Sequence, residues 1–427
     1  MWPSSVKGSP VGTLEPTEAC ERVFRSGRVE SRLAQGWAFH PHPLPPKLNR
    51  LEFLDRLSDE HEAALIAIST LQGAAQSCPF KNLLVAPLLS RDAVTSSRIE
   101  NTIATPREVA MVAAGQTPAR EEATEVNNYR KAVMHGLTSP LPVCMRLVKE
   151  MHHILMTGVR GGDQTPGEIR TVQNWIGSDE SDFSSARFVP PRPGEPLLEC
   201  LKNLEQFWNA DPRLYEDGTK RLKPLIEIAI AHYQFECIHP FSDGNGRLGR
   251  AIAALSLVRS GLIDTPLVYI SGFFDERRDR YYDLLLQLSM IGDWVAWCSF
   301  FLQGVAAQAR DAQARVGRIT DERERVRRSL QNQGAAARVF GLLDHLIQHQ
   351  YTDVKMAAEF MGVEKPTARA DIEKLEIAGF LAELSGQSYA RYWGAVPIFE
   401  IIDPTPPSQP AVAPTLPHPP DAPPTAP

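Results

Sequence analysis

Residues 239–250 read HPFSDGNGRLGR. The segments on either side, IEIAIAHYQF and AIAALSLV, repeat apolar residues with a helical period, so we expect a helix, a tight loop and a second helix. Gly244, Asn245 and Gly246 can take backbone angles that turn consecutive N–H groups inward where the second helix begins. The stretch therefore predicts an anion-binding loop between two helices.

Four side chains around this loop suit chemistry on a polyphosphate. Asp243 can bind a hard divalent cation through oxygen. Arg247 and Arg250, three residues apart on the second helix, can reach the same phosphates. His239 lies just before the loop, where a neutral imidazole can take a proton from an incoming nucleophile.

This stretch resembles the signature of the Fic family, His-Pro-Phe-x-Asp/Glu-Gly-Asn-Gly-Arg-x-x-Arg, at every fixed position. Members of the family usually transfer AMP from ATP to a hydroxyl side chain of a target protein. The resemblance implies that His239 is the general base and that Asp243 binds Mg²⁺, with Mn²⁺ as an alternative. Arg250 would bind the γ-phosphate. The residues that the resemblance implies for ATP binding are Phe241, Asp243, Gly244, Asn245, Gly246, Arg247 and Arg250.

The same stretch also satisfies G-x-G-x-x-G at Gly244, Gly246 and Gly249, a pattern typical of dinucleotide folds and kinase loops. A dinucleotide loop follows a β-strand, whereas the segment before this loop is helical in period. The lysine and catalytic-loop motifs of kinases do not occur in the sequence. A structural glycine turn beside a core histidine remains the plainer alternative.

The segment from Ser96 to Asn101 reads SSRIEN and matches Ser/Thr-x-x-x-Glu-Gly/Asn, a pattern that Fic proteins carry on an inhibitory helix. Ser96 and Glu100 are four residues apart, so they share one helix face. The resemblance implies that Glu100 reaches into the nucleotide site, pairs with Arg250 and excludes the γ-phosphate of ATP. Inhibition would then be intramolecular. A solvated helix face is the alternative interpretation.

A short β-hairpin is predicted where PGEIRTVQNWIGS (166–178) and ARFVPPRP (186–193) interrupt the helical rhythm. Similar segments of Fic proteins form a flap over the active site. The resemblance implies that a protein substrate docks on this flap near residues 183–192 through main-chain hydrogen bonds. An ordinary surface hairpin is the alternative.

Adenosine recognition departs from the family pattern. Fic proteins of this layout commonly carry Asn-Arg where this chain has Arg277-Arg278. We expect Arg277 to stack on adenine through its guanidinium group and Tyr281 to lie at the nucleotide.

Composition bounds the class of protein. The chain has 427 residues, of which 43% are hydrophobic, so it is long enough for two or three folded domains. Its net charge of −6 shows no basic excess of the kind that nucleic-acid binding requires. Six scattered cysteines without a C-x-x-C pair predict reduced, buried thiols, and no segment resembles a signal peptide or a membrane span. We therefore expect a cytoplasmic protein without membrane contact.

The C-terminal segment 336–402 resembles a winged helix-turn-helix with three helices and a two-stranded wing. This module usually places its third helix in the DNA major groove. The segment holds nine acids against six bases, a balance that disfavours binding to phosphates. Contact with another protein, including a second copy in a homodimer, is the favoured role, and DNA is the alternative partner.

We thus expect a mostly α-helical protein adenylyltransferase that modifies Ser, Thr or Tyr hydroxyls, including its own. Two other functions stay open, a Fic enzyme that transfers another phosphate-containing group and a nucleotide-sensing regulator that binds DNA. The expected segments are an irregular extension (1–40), a helical region with the inhibitory helix (41–125), a catalytic core (126–305), a helical connector (306–335), the winged helix-turn-helix (336–402) and a disordered proline-rich tail (403–427).

Overall fold

The computed structural model describes residues 6–25, 28–76, 78, 80–113, 121–159, 165–177, 182–210, 220–385 and 391–403. Helices dominate these residues, as the sequence predicts. The helices are α1 (Arg50–Asp55), α2 (Ser58–Gln76), α3 (Asn82–Ile99), α4 (Pro106–Ala113), α5 (Glu121–Thr138), α6 (Met145–Met156), α7 (Glu195–Trp208), α8 (Pro224–Ile238), α9 (Asn245–Arg259), α10 (Ser271–Glu276), α11 (Arg278–Ile291), α12 (Trp294–Asn332), α13 (Ala337–His349), α14 (Val354–Met361), α15 (Lys365–Ile377) and α16 (Val396–Ile402).

Three small antiparallel sheets accompany the helices in the described part of the chain. Their strands are β1 (Gly12–Arg25), β2 (Arg28–Pro41), β3 (Ile176–Gly177), β4 (Ala186–Phe188), β5 (Tyr351–Asp353), β6 (Ala382–Glu383) and β7 (Tyr392–Gly394). β1 pairs with β2, β3 pairs with β4, and the third sheet has the strand order β5-β7-β6.

The N-terminal hairpin corrects the prediction of an irregular extension over residues 1–40. β1 and β2 stay in register from Gly12 opposite Pro41 to Arg25 opposite Arg28. Few large apolar side chains alternate along these strands, so they lack the strong two-residue period by which a half-buried strand is recognised.

The hairpin packs against the flap segment through small side chains. Ala19 and Ala38 form a cluster with Phe183 and Val189, and the amide of Phe39 donates to the carbonyl of Val189 at 2.8 Å. The predicted flap hairpin is present as β3 and β4, with Ile176 opposite Phe188.

The core centres on α8, which is buried at every position from Leu225 to Ile238. Because this helix is apolar nearly all round, it fits the centre of a bundle. α9 packs against α8 and is surrounded by α3, α5 and α6. On another side α12 contacts α8, where the indole N–H of Trp297 donates to the carbonyl of Ala229 at 2.8 Å.

α12 is one continuous helix, which corrects the boundary at residue 306. The segment predicted as a separate connector (306–335) is mostly the second half of a helix that begins at Trp294 in the catalytic core. Its apolar positions Val316, Ile319, Val326 and Leu330 are buried, so this half is packed rather than solvated.

The C-terminal region has the three helices α13 to α15, the two strands expected for a wing, and a third strand, β5, that the sequence did not predict. Its assignment as a winged helix-turn-helix stays a prediction. α13 and α16 pack against α3, the helix that leads to Glu100. The proline-rich tail after Asp403 lies outside the described residues.

All six cysteines are free thiols, and four are buried as expected, but Cys20 is exposed and Cys144 is partly exposed. Nowhere in the described ranges is a helix both long and apolar enough to cross a bilayer.

Candidate active site

The loop between α8 and α9 has the tight geometry that its glycines predict. Gly244 precedes α9 with φ 76°, and a Cβ at this position would lie 2.8 Å from the sulfur of Met156. The Asn245 side chain closes the loop, because its Oδ1 accepts from the Phe241 amide at 2.9 Å and its Nδ2 donates to the Phe241 carbonyl at 2.8 Å. The first N–H groups of α9 are thus held at the mouth of the loop, where an anion can bind.

His239 ends α8 in the left-handed conformation, with φ 48°. Its Nδ1 lies 3.3 Å from the carbonyl of Glu236. Because a carbonyl only accepts, Nδ1 carries the hydrogen and Nε2 keeps its lone pair. Burial and then the charge of Arg170 lower the pKa of His239 to about 4. The imidazole is therefore neutral at pH 7 and can accept a proton through Nε2.

Arg170 joins the flap segment to this loop by hydrogen bonds, a role that the sequence did not predict. Its guanidinium donates to the carbonyls of His239 at 2.8 Å and Pro191 at 2.6 Å, and its amide donates to the carbonyl of Pro240 at 3.0 Å. Burial lowers its pKa to about 10. The signal in the sequence that could have indicated this role was an arginine within the predicted hairpin segment, which is bounded by prolines.

His152 contacts the loop through its ring face and its ring nitrogens. Its ring stacks on Phe241 with centroids 3.8 Å apart, its Nδ1 accepts from the Gly167 amide at 2.8 Å, and its Nε2 donates to the Asp243 carbonyl at 3.0 Å. Burial lowers the pKa of His152 to about 4. The Phe241 ring is itself fully buried, so the side chain predicted to bind ATP lies beneath the site instead of lining it.

Asp243 presents the carboxylate that suits a divalent cation. Its side chain is 53% exposed, and its Oδ1 accepts from the Gly244 amide at 2.5 Å. The described residues contain no cluster of three or more side chains able to hold a metal ion. This lone carboxylate fits Mg²⁺, which keeps several waters and is commonly bound through one or two carboxylates plus substrate phosphates.

Arg250 is bound by the segment that carries the predicted inhibitory motif. The guanidinium is 1% exposed, and its Nε donates to Ser96 Oγ at 2.9 Å. Its Nη2 donates to the Ser96 carbonyl and to Glu100 Oε1, each at 2.8 Å. The structure therefore brings Ser96, Glu100 and Arg250 together, although Glu100 is the residue that follows α3 and not part of the helix.

The Glu100 carboxylate lies where an anion would meet α9. A Cβ added at Gly246 would overlap Glu100 Oε1, so this oxygen stands directly over the first turn of the helix. Burial acts to raise the pKa of Glu100, but the charge and hydrogen bond of Arg250 outweigh it and lower the pKa. The carboxylate is ionised and occupies the space that the sequence predicts for a bound anion.

Two predicted nucleotide contacts, Arg277 and Tyr281, have partners within the fold. Arg277 stacks on the protein's own Phe273, 4.3 Å from the ring centroid, and pairs with Glu276 at 2.7 Å. Tyr281 is 1% exposed, and its hydroxyl lies 3.0 Å from His232 Nε2. Tyr281 is joined through His232 to the Gly249 carbonyl of α9 and lies within reach of the charges of Arg250 and Glu100, so its contact with the nucleotide stays a prediction, as does that of Arg277.

Comparisons with known proteins agree with this geometry. Two family models match the chain, Fic/DOC family N-terminal over residues 58–138 and Fic/DOC family over residues 142–257. Protein adenylyltransferase fic-1 of Caenorhabditis elegans is 33% identical over 149 residues, which are 34% of this chain and 24% of that protein. Protein adenylyltransferase Fic of Drosophila grimshawi is 26% identical over 245 residues, or 57% of this chain and 45% of that protein. The chain thus spans less than half the length of these relatives.

Among solved structures, the crystal structure of a Fic family protein from Desulfovibrio desulfuricans G20 matches with a TM-score of 0.50 and 20% sequence identity. The match covers 82% of this chain and 98% of that one, and it supports the fold.

Proposed function

We propose that this chain, which matches the Fic/DOC family models over residues 58–138 and 142–257, is a protein adenylyltransferase that transfers AMP from ATP to a Ser, Thr or Tyr hydroxyl of a target protein. The observation that carries the proposal is the neutral His239, with Nε2 free, at the mouth of an anion-binding loop beside the Asp243 carboxylate.

The proposed reaction is a displacement at the α-phosphorus. His239 Nε2 takes the hydroxyl proton as the target oxygen bonds to phosphorus, and the bond to pyrophosphate breaks. The N-terminus of α9 and Arg247 bind the α- and β-phosphates, and Arg250 binds the γ-phosphate. Mg²⁺ held by Asp243, or Mn²⁺ in its place, would neutralise charge on the leaving pyrophosphate.

The Glu100 carboxylate must leave this site before ATP binds productively. It occupies the space over Gly246 and forms an ion pair with Arg250. A residue of the same chain therefore inhibits this state. This intramolecular inhibition is part of the proposal.

A target protein would dock beside the flap. A cleft of about 870 Å³ lies between the N-terminal hairpin and residues 183–193, with Trp37, Phe183 and Arg192 among its lining. This cleft overlaps the predicted docking segment 183–192. Because the chain is itself a protein with hydroxyl side chains, we also expect self-modification.

Labelled ATP tests the proposed function directly. Incubation of the Glu100→Gly protein with ATP labelled at the α-phosphorus should label it, whereas ATP labelled at the γ-phosphorus should not. The His239→Ala protein serves as the control that should stay unlabelled. Retention of the γ-label would show phosphate transfer and contradict the proposal.

A further inference from the structure

Arg247 is held by a second carboxylate, Glu125, which lies on α5. The Arg247 side chain is 3% exposed, and its Nη1 donates to Glu125 Oε2 at 3.0 Å. Glu125 is 6% exposed, so the ion pair lies inside the protein. Both arginines of the signature are thus paired with acids, Arg250 with Glu100 and Arg247 with Glu125.

The two carboxylates differ in their position relative to the predicted anion site. Glu100 stands over Gly246, in the space where an anion would meet α9. Glu125 takes up Nη1 at a buried position. Arg247 Nη2 lies 3.8 Å from both the sulfur of Met156 and Asp243 Oδ1.

The contact with Glu125 leaves donors of Arg247 available. A guanidinium has five N–H groups, and Glu125 takes one nitrogen of the three. Arg247 Nε has no hydrogen-bond partner among the described residues, although it is buried. An unpartnered donor in a buried arginine is costly unless a ligand completes it.

We propose that Glu125 is a positioning residue, which fixes the Arg247 guanidinium so that its remaining N–H groups bind the phosphates of ATP. The inference rests on the proposed function, because it takes the α9 loop as the ATP site. An ionised partner suits this task, since a charge-assisted hydrogen bond fixes orientation more strongly than a neutral one.

Thr102 ties this pair to the inhibitory segment. Its hydroxyl donates to Glu125 Oε2 at 3.3 Å, and it is only two residues from Glu100. One short stretch, residues 100–102, therefore contacts Arg250 directly and Arg247 through Glu125. Removal of the Thr102 hydroxyl should loosen Glu125 without changing any charge.

The test uses the full chain with Glu100→Gly, so that Glu100 does not obscure the result. ATP affinity is measured by calorimetry, and transfer is measured with α-labelled ATP. Addition of Glu125→Gln should weaken ATP binding and lower kcat/KM by roughly tenfold, as expected when a charged hydrogen bond is lost. Glu121→Gln, an exposed change on the same helix, should alter neither value.

A double change separates positioning from a merely structural role. If Glu125 acts through Arg247, then Glu125→Gln should have no further effect in an Arg247→Ala protein. Additive losses would contradict the proposal. If the Glu125→Gln protein fails to fold, Thr102→Val is the deciding variant. We expect Thr102→Val to lower ATP affinity by less than Glu125→Gln would. An unchanged ATP affinity in Thr102→Val would then overturn the proposal.

The outcomes distinguish this inference from the proposed function. A Glu100→Gly protein that binds ATP but transfers no α-label would refute the adenylyltransferase, while weaker ATP binding after Glu125→Gln would still support positioning. Unchanged ATP binding and transfer after Glu125→Gln would overturn it. Increased transfer would instead make Glu125 a second inhibitory carboxylate and would also overturn it.

Discussion

The lowered pKa of His239 determines how the proposed base responds to pH. With a pKa of about 4, its imidazole is already deprotonated across the range in which a free histidine titrates. We expect kcat/KM in the Glu100→Gly protein to show no protonation step near pH 6.5. A loss of activity centred on that pH and traceable to His239 would contradict this expectation.

Replacement of His239 should separate transfer from binding. His239→Ala removes the proton acceptor but leaves the N-terminus of α9 intact, so ATP affinity should change little. Transfer should fall by the ~10²- to 10⁴-fold typical of a lost general base. Calorimetry and α-label incorporation in the Glu100→Gly background measure the two effects, and equal transfer with and without His239 would refute its role.

Glu236 is a buried carboxyl near Arg250 that our sequence reasoning did not single out. Burial raises its pKa from 4.5 to about 8. Between these pH values the unfolded chain releases a proton that the folded chain keeps, so the carboxyl increasingly destabilises the fold as pH rises. Glu236→Gln, which is always neutral, should therefore gain Tm relative to the unaltered protein from pH 5 to pH 8. A Tm difference that is constant with pH would contradict the raised pKa.

The signature predicted the residues of the loop because their chemistry depends on neighbours in the sequence. It could not predict Glu125 or Arg170, since each reaches the loop from another segment through packing. Glu236 lies on α8 only three residues before His239, but its burial depends on how α8 packs and not on the signature. The sequence also did not predict the partners of Arg277 and Tyr281 within the fold, an aromatic ring and a histidine.

At the scale of elements, α3 places the inhibitory motif. Ser96, near the end of this helix, and Glu100, just after it, both bind Arg250, so this segment accepts three hydrogen bonds from one guanidinium. The four-residue spacing and the match to the family pattern were enough to predict this meeting. That the helix ends at Ile99 was not predicted, because a boundary depends on local tertiary contacts as well as on sequence.

Removal of Glu100 should activate the enzyme. Glu100→Gly frees Arg250 and removes a negative charge from the anion site, so α-label on the protein should increase. The double change Glu100→Gly with Arg250→Ala should erase this gain, because the γ-phosphate loses its cation. The measurement is self-labelling over a range of ATP concentrations. Equal or lower labelling in a folded Glu100→Gly protein would contradict inhibition by Glu100.

Helices and strands differed in how well the sequence predicted them. The helical period and buried length of α8 and α9 made them recognisable. β1 and β2 were missed because their stability comes from pairing with each other and from small side chains against the flap. Cross-strand pairing of this kind leaves little trace in a single strand's sequence.

For the whole molecule, the C-terminal region joins the inhibitory segment. Arg98, two residues before Glu100, forms ion pairs of 3.2 Å with Asp275 and with Asp403, the residue after α16. The Arg107 guanidinium donates to the carbonyl of Leu384 at 2.6 Å. The segment from α3 to α4 is therefore held by α10 through Asp275 and by the C-terminal region through Leu384 and Asp403.

Two of the three cations of α15 are engaged within the fold and are therefore poorly placed for DNA. Lys374 pairs with Asp371 at 3.1 Å, and the Arg369 guanidinium lies 4.5 Å from the ring centroid of Trp393. Because DNA affinity comes largely from Lys and Arg that neutralise phosphates, we expect no salt-dependent binding to duplex DNA. Fluorescence anisotropy with labelled duplexes at low and moderate salt checks this, and tight binding that weakens with salt would favour the regulator instead.

Because α12 is one continuous helix, it fixes both the distance and the relative rotation between the elements that pack on its two halves. A helix turns by about 100° and rises about 1.5 Å with each residue. The half near Trp297 is seated on α8, while Arg315 and Arg323 further along bind the Ile401 carbonyl and Asp344. One residue inserted at the exposed Gly317 would rotate the last quarter of the chain around this axis and carry Asp403 away from Arg98. The surface loops tolerate changes in length, but α12 must keep its residue count, because its rotational phase sets which face of the C-terminal region meets α3.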